Sequence, residues 1–414
     1  MLRHYVLNAW GVFMRRKMFT AINLLCIVLT LVVLMVVTAL LQHAFFPRGV
    51  EGKSERFLQV FVLDAEGPHT NINSPLGYKI IEKYLKPMRS VEAVAVSGIP
   101  QTVAVYQQDR VSKVELRLTD AEYWKILDFR VLAGRVIDAG DVEQGRLNAV
   151  INASTARRLF GNAAGASVIG RTVSVGGRGF TVIGVVADEM HINAYADMWA
   201  PFTSAPSTDY KKQFSGDFSA LLLAKNPADL PLIRQEVAAI SATIEYDDPK
   251  KITSTRLWAD SKMDLIARNT FGSNRSADSG AGGMVAAIVI GMLLFMLLPA
   301  LNLVNLNMGR IMERRTEIGV RKAFGATSAQ LVRQLIVENL LLCGIGGVLG
   351  LCGARLALWW LEGSGLIPYL AIDIDLAVFA WGLLLTFVFG LLSGAIPAWR
   401  MARLDPVHAL KGAA

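Results

Sequence analysis

Four stretches of this chain stay apolar for longer than the core helix of a soluble domain requires. Met18 to Pro47, Ser279 to Gly309 and Leu376 to Trp399 contain no Asp, Glu, Lys or Arg, and Leu335 to Leu361 holds only Glu338 and Arg355. About 20 apolar residues cross the hydrocarbon core of a bilayer, so the pattern predicts transmembrane helices at 18–46, 281–308, 335–361 and 376–399. The first is too long for the apolar core of a signal peptide, about 7–15 residues, and reads as an uncleaved anchor. Glu338 and Arg355 lie ~26 Å apart along a helix, a spacing that places both near opposite interfaces, where long side chains snorkel.

Between the first two spans, residues 47–280 change pattern to that of a soluble α/β domain. Phe57 to Leu63 and Val91 to Ile99 read as strands around a helix at Pro75 to Met88, whose apolar residues recur at helical spacing. Thr102 to Tyr106 and Val111 to Leu118 alternate like a hairpin, and RTVSVGGRGFTVIGVV (Arg171 to Val186) is a second one turning at Gly176-Gly177. Ala220 to Ala224, Leu230 to Ile244 and Ile252 to Trp258 then read as strand, helix and strand. That order repeats the first block and predicts two related half-units around an inserted β-rich region. Asn269 to Gly283, rich in Gly and Ser, reads as a linker.

Composition fits this division. The AVILMFWYC fraction is 53% and the charged fraction only 18%, against roughly 25% charged in soluble proteins. A disordered chain and a typical cytosolic enzyme are excluded. The net charge of +8 is distributed unevenly. The predicted inside segments (1–17, 309–334 and 400–414) sum to +10, the outer loop at 362–375 holds −3, and residues 47–280 hold +1. Positive residues mark the cytoplasmic side, so both termini are predicted inside and the large segment outside. The basic balance therefore reflects membrane topology and implies no nucleic-acid partner. Cys26, Cys343 and Cys352 all fall within spans, which leaves the outer segment without a disulfide.

Candidate chemistry is sparse. No GxxxxGK[ST] loop, HExxH pair or spaced Cys pair occurs, and no catalytic residue, bound cofactor or metal is expected. Asp188, Glu189 and His191 cluster after a strand and have ligand chemistry, but read better as a solvated loop. Gly346 and Gly350 form a GxxxG pair that permits close helix approach, either within one subunit or across a dimer. Asn302, Asn305 and Asn307 suit interhelical hydrogen bonds, and Pro299 suits a kink. Leu2, Val6, Trp10 and Phe13 share one helical face, the pattern of an amphipathic helix lying in the cytoplasmic lipid interface.

Two stretches carry a family resemblance. ERRTEIGVRKAFGAT (Glu313 to Thr327) with SAQLVRQLIVENLLL after it, and SGAIPAWRMARLDPVHALK (Ser393 to Lys411), resemble permease subunits of ABC transporters of the MacB/FtsX type. EYWKILDFRVLAGRVIDAGD (Glu122 to Asp141), VINASTARRLFG (Val150 to Gly161) and FTVIGVVAD (Phe180 to Asp188) resemble that family's periplasmic core domain. The resemblance implies an α-helical membrane protein of four transmembrane helices, with a large α+β extracytoplasmic domain between helices 1 and 2. That domain would have a porter-like part and a β-rich part. It also implies a coupling helix that docks on an ABC ATPase, formed by Glu313, Arg314, Arg315, Glu317, Ile318, Gly319, Val320, Arg321, Lys322, Phe324 and Gly325. Such a basic amphipathic segment presents apolar side chains to a partner's groove and sets its register with charge. ATP and Mg²⁺ would sit on that separate ATPase. The other implied partners are a second permease copy or paralogue and a periplasmic adaptor protein, in a bacterial inner membrane. Expected outcomes are export by mechanotransmission, activation of a cell-wall hydrolase, or lipoprotein release.

Overall fold

The computed structural model describes residues 49–313 apart from 108–109, 162–164 and 273–274, the helices across 17–45 and 327–366, and parts of 11–15 and 376–391. Two units divide the chain: Met1–His43 with Val285–Ala414, and Ala44–Met284.

The first unit is helical. Lys17–Phe45, Ala281–Glu313 and Ser328–Ser364 contain 29, 33 and 37 residues, so each exceeds the ~30 Å hydrocarbon core at about 1.5 Å per residue. Within them, Thr20–Gln42 and Ile336–Ser364 are long and apolar enough to cross a membrane, while Ala281–Phe295 is a shorter apolar stretch, as is Phe379–Val388 beyond them. Ser328–Ser364 starts at a capping box between Thr327 and Gln330 and ends at Gly365, whose φ of +66° suits glycine.

Small residues set the packing. A Cβ on Gly346 would lie 2.5 Å from Ile27, one on Gly350 2.9 Å from Leu31, and one on Gly353 2.8 Å from Val32. The partner numbers rise together, so these two helices run parallel. On the fourth segment, Leu383 covers Gly347, while Cys343 donates to the Thr386 carbonyl at 3.7 Å. Here one number rises as the other falls, so this segment runs antiparallel to Ser328–Ser364. Two parallel helices joined through an intervening chain require that chain to return across the same thickness, which Ala281–Glu313 is long enough to do.

Apolar residues face outward on these helices, including Leu25, Leu29, Ile290 and Leu294, and the indoles of Trp359, Trp360 and Trp381 are exposed. Exposed tryptophans of this kind suit the headgroup level of a bilayer. The sequence expectation for Glu338 needs correction. It is 1% exposed, buried in the same unit as Asn23 and Asn339, whereas Arg355 is exposed. Helix packing, rather than snorkelling, takes Glu338 out of solvent. Phe13 is also buried, against Ile27, Leu31, Leu342 and Cys343. Leu2, Val6 and Trp10 lie outside the described residues.

The second unit is built on a split βαβ sheet. Strand β1 (Phe57–Val60) bends into β2 (Leu63–Gly67), which turns back as β3 (Thr70–Ser74). The single strand expected at Phe57 to Leu63 is thus broken in two. A helix at Tyr78–Ile80, widening at Ile81–Leu85, leads to β4 (Val91–Gly98). After an insertion come β12 (Phe218–Ala224), the helix Leu230–Ser241 and β13 (Ser254–Leu257). β13 lies antiparallel to β2, and Asp260 just beyond it bridges Gln59 of β1. β12 lies between β1 and β4, antiparallel to both. β13, β2 and β3 form their own three-stranded sheet, joined to β1–β12–β4 at the Gln59–Asp260 bridge, and across that joint the order β13–β1/β2–β12–β4 is the split βαβ arrangement.

Alternate residues explain why β12 reads as one continuous apolar run. Ala220 and Leu222 pack with Ile80, Ile81, Leu85, Ile233 and Val237 on the helix side, while Leu221 and Leu223 join Tyr123, Trp124 and Trp199 on the other. A strand covered on both faces has no polar face to show.

The insertion adds β5 (Gln101–Gln107), β6 (Arg110–Thr119), β7 (Val131–Gly134), β8 (Asn148–Asn152), β9 (Thr172–Val175), β10 (Arg178–Val186) and β11 (Met198–Pro201). Six of these close into a ring in the order β6–β11–β8–β10–β9–β5 and back to β6. β6 with β11 and β8 with β10 are parallel; the other junctions are antiparallel. Closure removes free sheet edges. Val105, Val114, Ile151, Val173, Phe180 and Met198 fill the interior. Gly176 and Gly177, both at positive φ, make the expected β9–β10 turn.

The glycine seam yields a test. Gly350→Leu places a side chain where Leu31 already lies, at a cost of about 1–3 kcal/mol for overpacking. Thermal unfolding of the detergent-solubilised chain is expected several degrees lower for this variant. Gly291→Leu, at a position where a Cβ meets nothing within 4 Å, leaves the midpoint unchanged.

Candidate functional site

The outer unit is attached to its helices at two points, after Phe45 and before Ala281, and a network of buried charge lies close to both in sequence. A 3-10 turn at Gly49–Glu51 carries Glu51, whose side chain is fully buried. One carboxylate oxygen accepts from the Asn193 backbone N–H (3.3 Å) and side-chain amide (2.9 Å). The other pairs with the Lys262 ammonium, itself 6% exposed.

Lys262 opens the helix Lys262–Phe271, which is started by a capping box between Ser261 and Asp264. The same helix holds the outgoing chain. Arg268 donates to the Ser276 carbonyl at 2.7 Å and the Ala277 carbonyl at 3.3 Å, while its Nε bonds Asp260 at 2.8 Å. Its guanidinium also stacks 4.6 Å from the Trp258 ring centroid. Asp264 accepts from Ser279 Oγ at 2.6 Å and from Arg234 at 2.8 Å. Residues 276–279 are therefore pinned, although composition alone reads this stretch as a plain linker. One short helix joins the segment leaving the first long helix to the segment entering the second.

A second layer fixes Asn193. Arg117, near the end of β6, is 1% exposed and donates to the Tyr195 carbonyl (3.2 Å) and the Ile192 carbonyl (3.0 Å). Tyr123 Oη donates to the Asn193 carbonyl at 2.7 Å. Burial lowers the Arg117 pKa, with the charges of Tyr123 and Glu51 opposing; an arginine still remains protonated. Burial also pushes Tyr123 up to about 12, so its hydroxyl stays a donor. Burial raises Asp260 to about 6 against the pull of Arg268.

The residues singled out from sequence fall into three places. Glu313 is the last residue of Ala281–Glu313. Arg314, Arg315, Glu317, Ile318, Gly319, Val320, Arg321, Lys322, Phe324 and Gly325 lie outside the described residues. Gly346 and Gly350 meet the first long helix, as above. Asp188, Glu189 and His191 do not form one site: Asp188 accepts from Ser154 N–H and Oγ, both at 2.8 Å, at the start of the helix Ala153–Phe160, while His191 faces Glu189 at 3.3 Å. Among the described residues no group of three or more His, Cys, Asp and Glu is placed to hold a metal. The solvated-loop expectation is corrected as well, because His191 is 7% exposed. Glu51, Lys262 and Arg117 were not legible as a set, since no local pattern links residues so distant in sequence.

Apolar helices with outward-facing indoles and a separate α/β unit define a membrane protein with an extracytoplasmic domain. Residues 20–240 match the MacB-like periplasmic core domain, and residues 289–406 match the FtsX-like permease C-terminal family. The chain belongs to this family: it is an ABC transporter permease of the MacB/FtsX type. It is 26% identical over 328 residues to the macrolide export ATP-binding/permease protein MacB of Bradyrhizobium diazoefficiens, covering 76% of this chain and 46% of that protein. The Shewanella oneidensis protein of the same name is 26% identical over 334 residues, 79% of this chain and 47% of the relative. The chain thus spans about half the length of these curated relatives. Among solved structures, the extracellular domain of the noncanonic ABC-type transporter YknZ from Gram-positive bacteria matches at 18% identity and TM-score 0.37, covering 49% of this chain and 98% of that one. The periplasmic region of MacB from Actinobacillus actinomycetemcomitans matches at 16% identity and TM-score 0.39, covering 53% and 96%.

Two measurements follow. Removing one partner of a buried ion pair costs about 3–5 kcal/mol, so Lys262→Met and Glu51→Gln are each expected to lower chemical-denaturation stability by that order. The double variant should lose clearly less than the sum; strict additivity would show that the two do not interact. The second concerns Asp260. Unfolded, its carboxyl loses its proton near pH 4, whereas folded it keeps it to about 6. At this group the folded state binds more protons between these values, so its contribution to stability falls as pH rises from about 4 to 6 and is level above. Asp260→Asn is expected to flatten that slope in unfolding curves measured from pH 4 to 7, leaving the part contributed by Asp120, which burial also raises to about 6.

Proposed function

We propose that this chain is the permease subunit of an export system, crossing the bacterial inner membrane four times with both termini in the cytoplasm. An ABC ATPase on a separate chain hydrolyses ATP with Mg²⁺, and the segment from Glu313 to Gly325 receives its movement. Ala281–Glu313 and Ser328–Ser364 flank that segment and carry the displacement through the lipid. A second permease copy or paralogue completes the complex, and a periplasmic adaptor receives the outer domain.

The observation that supports this reading is the Glu51–Lys262 pair with its helix. Both attachments of the outer unit are tied to one buried charge network, so displacement at either is felt by both and then by Arg117 and β6. A loosely tethered binding domain needs no such link. The export direction draws support from the relatives named as macrolide exporters, and it is favoured here over hydrolase activation or lipoprotein release.

The coupling segment supplies the test. Glu317→Ala with Arg321→Glu is expected to reduce co-purification with the cognate ATPase, and ATPase stimulation by the permease, by about tenfold, the scale of 1.4 kcal/mol at one interface. Unchanged association and turnover would remove the coupling role from this segment.

A further inference from the structure

The split βαβ sheet and the closed ring share a single strand pairing, Ser97 of β4 with Thr119 of β6. Beside it, where β4 runs on into β5 along β6, residues 205–218 enclose a cleft of about 330 Å³ against Gly98, Ile99, Leu116 and Leu118, at the small end of ligand sites. Ile99, Leu116, Leu118 and Tyr210 supply its apolar wall, each of them half-buried. Asp209 and Asp217 complete the lining, both exposed. Asp209 accepts only a neutral hydroxyl, that of Ser207 at 2.6 Å, and neither carboxylate has an ion pair among the described residues. No Lys or Arg lines the cleft; Lys211 and Lys212, on the same loop as Asp209, are outside the lining.

We propose that this cleft binds a small amphipathic cation, an amine or quaternary ammonium attached to one aromatic or branched aliphatic group. The apolar wall removes the hydrocarbon part from water. The two unpaired carboxylates meet the charge at the rim, and Tyr210 offers an aromatic ring of the kind that attracts cations. An anion of the same shape would meet two negative charges and no positive one. Because the walls come from both halves of the outer unit, a bound cation would bridge them. This site does not depend on the coupling role of the Glu313 to Gly325 segment, and its test needs no ATPase.

The test is calorimetric titration of the full chain in zwitterionic lipid nanodiscs with 1-naphthylmethylammonium, using empty nanodiscs as the blank. Saturable one-to-one binding with Kd below about 1 mM is expected. 1-Naphthalenesulfonate, its anionic counterpart, should bind at least about tenfold more weakly. Asp209→Asn with Asp217→Asn should weaken the cation about tenfold, and Ile99→Trp, which fills the cleft, should abolish saturation. Asp209 and Asp217 are exposed and Ile99 is half-buried on the cleft wall, so unfolding midpoints within about 2 °C of the parent chain would confirm intact folding. Absence of saturable heat, equal binding of the sulfonate, or binding that ignores all three substitutions would overturn the proposal.

Discussion

A carboxylate and an ammonium held almost wholly out of water, Glu51 against Lys262, govern how the outer unit is tied to its two attachments. Desolvating both groups is costly, and the pair is tolerable only because Asn193 occupies the remaining carboxylate oxygen and the ion pair itself is close. Asn193 in turn stays in place because Arg117 and Tyr123 hold the carbonyls around it. Each group needs the next, so the network specifies one arrangement of the incoming and outgoing chains. An apolar contact of equal area would be slippery by comparison, since hydrophobic attraction has no direction.

Wherever one local pattern decides the structure, the sequence was readable. The hairpin β9–β10 followed from alternation and Gly176-Gly177, and β12 from the apolar run at Ala220 to Ala224, two residues short of the strand's start at Phe218. Apolar length, read at 18–46 and 335–361, also located the helices Lys17–Phe45 and Ser328–Ser364. What stayed hidden depends on residues that meet only after folding. Closure of the ring needs β8 beside β10 and β6 beside β11, parallel neighbours that no turn specifies. The pinning of residues 276–279 by Arg268 could not be seen in a Gly- and Ser-rich stretch. Composition reports that such a stretch lacks its own core, while the restraint comes from a guanidinium on a neighbouring helix.

Within the helical unit, burial follows contact geometry more closely than residue type. Gly346, Gly350 and Gly353 let the first and third long helices approach until Ile27, Leu31 and Val32 fill the space. Lipid cannot supply a hydrophobic drive between helices, so close approach and dispersion must serve. The same seam explains why Glu338 is enclosed while Arg355, seventeen positions on, faces out. Charge alone gave both residues the same expected environment.

The insertion point of the ring has an evolutionary meaning. Gly98 at the end of β4 lies opposite Phe218 at the start of β12, so the two ends of the inserted segment are already neighbours in space. The split βαβ sheet keeps its strand order whether a short turn or a large domain bridges them. Exchange of what hangs there is nevertheless constrained, because Asn193, Arg117 and Tyr123, which hold Glu51 in place, all belong to the inserted segment. The junction is local in the sheet, but the buried charge it carries is shared, so the two halves are bound to change together.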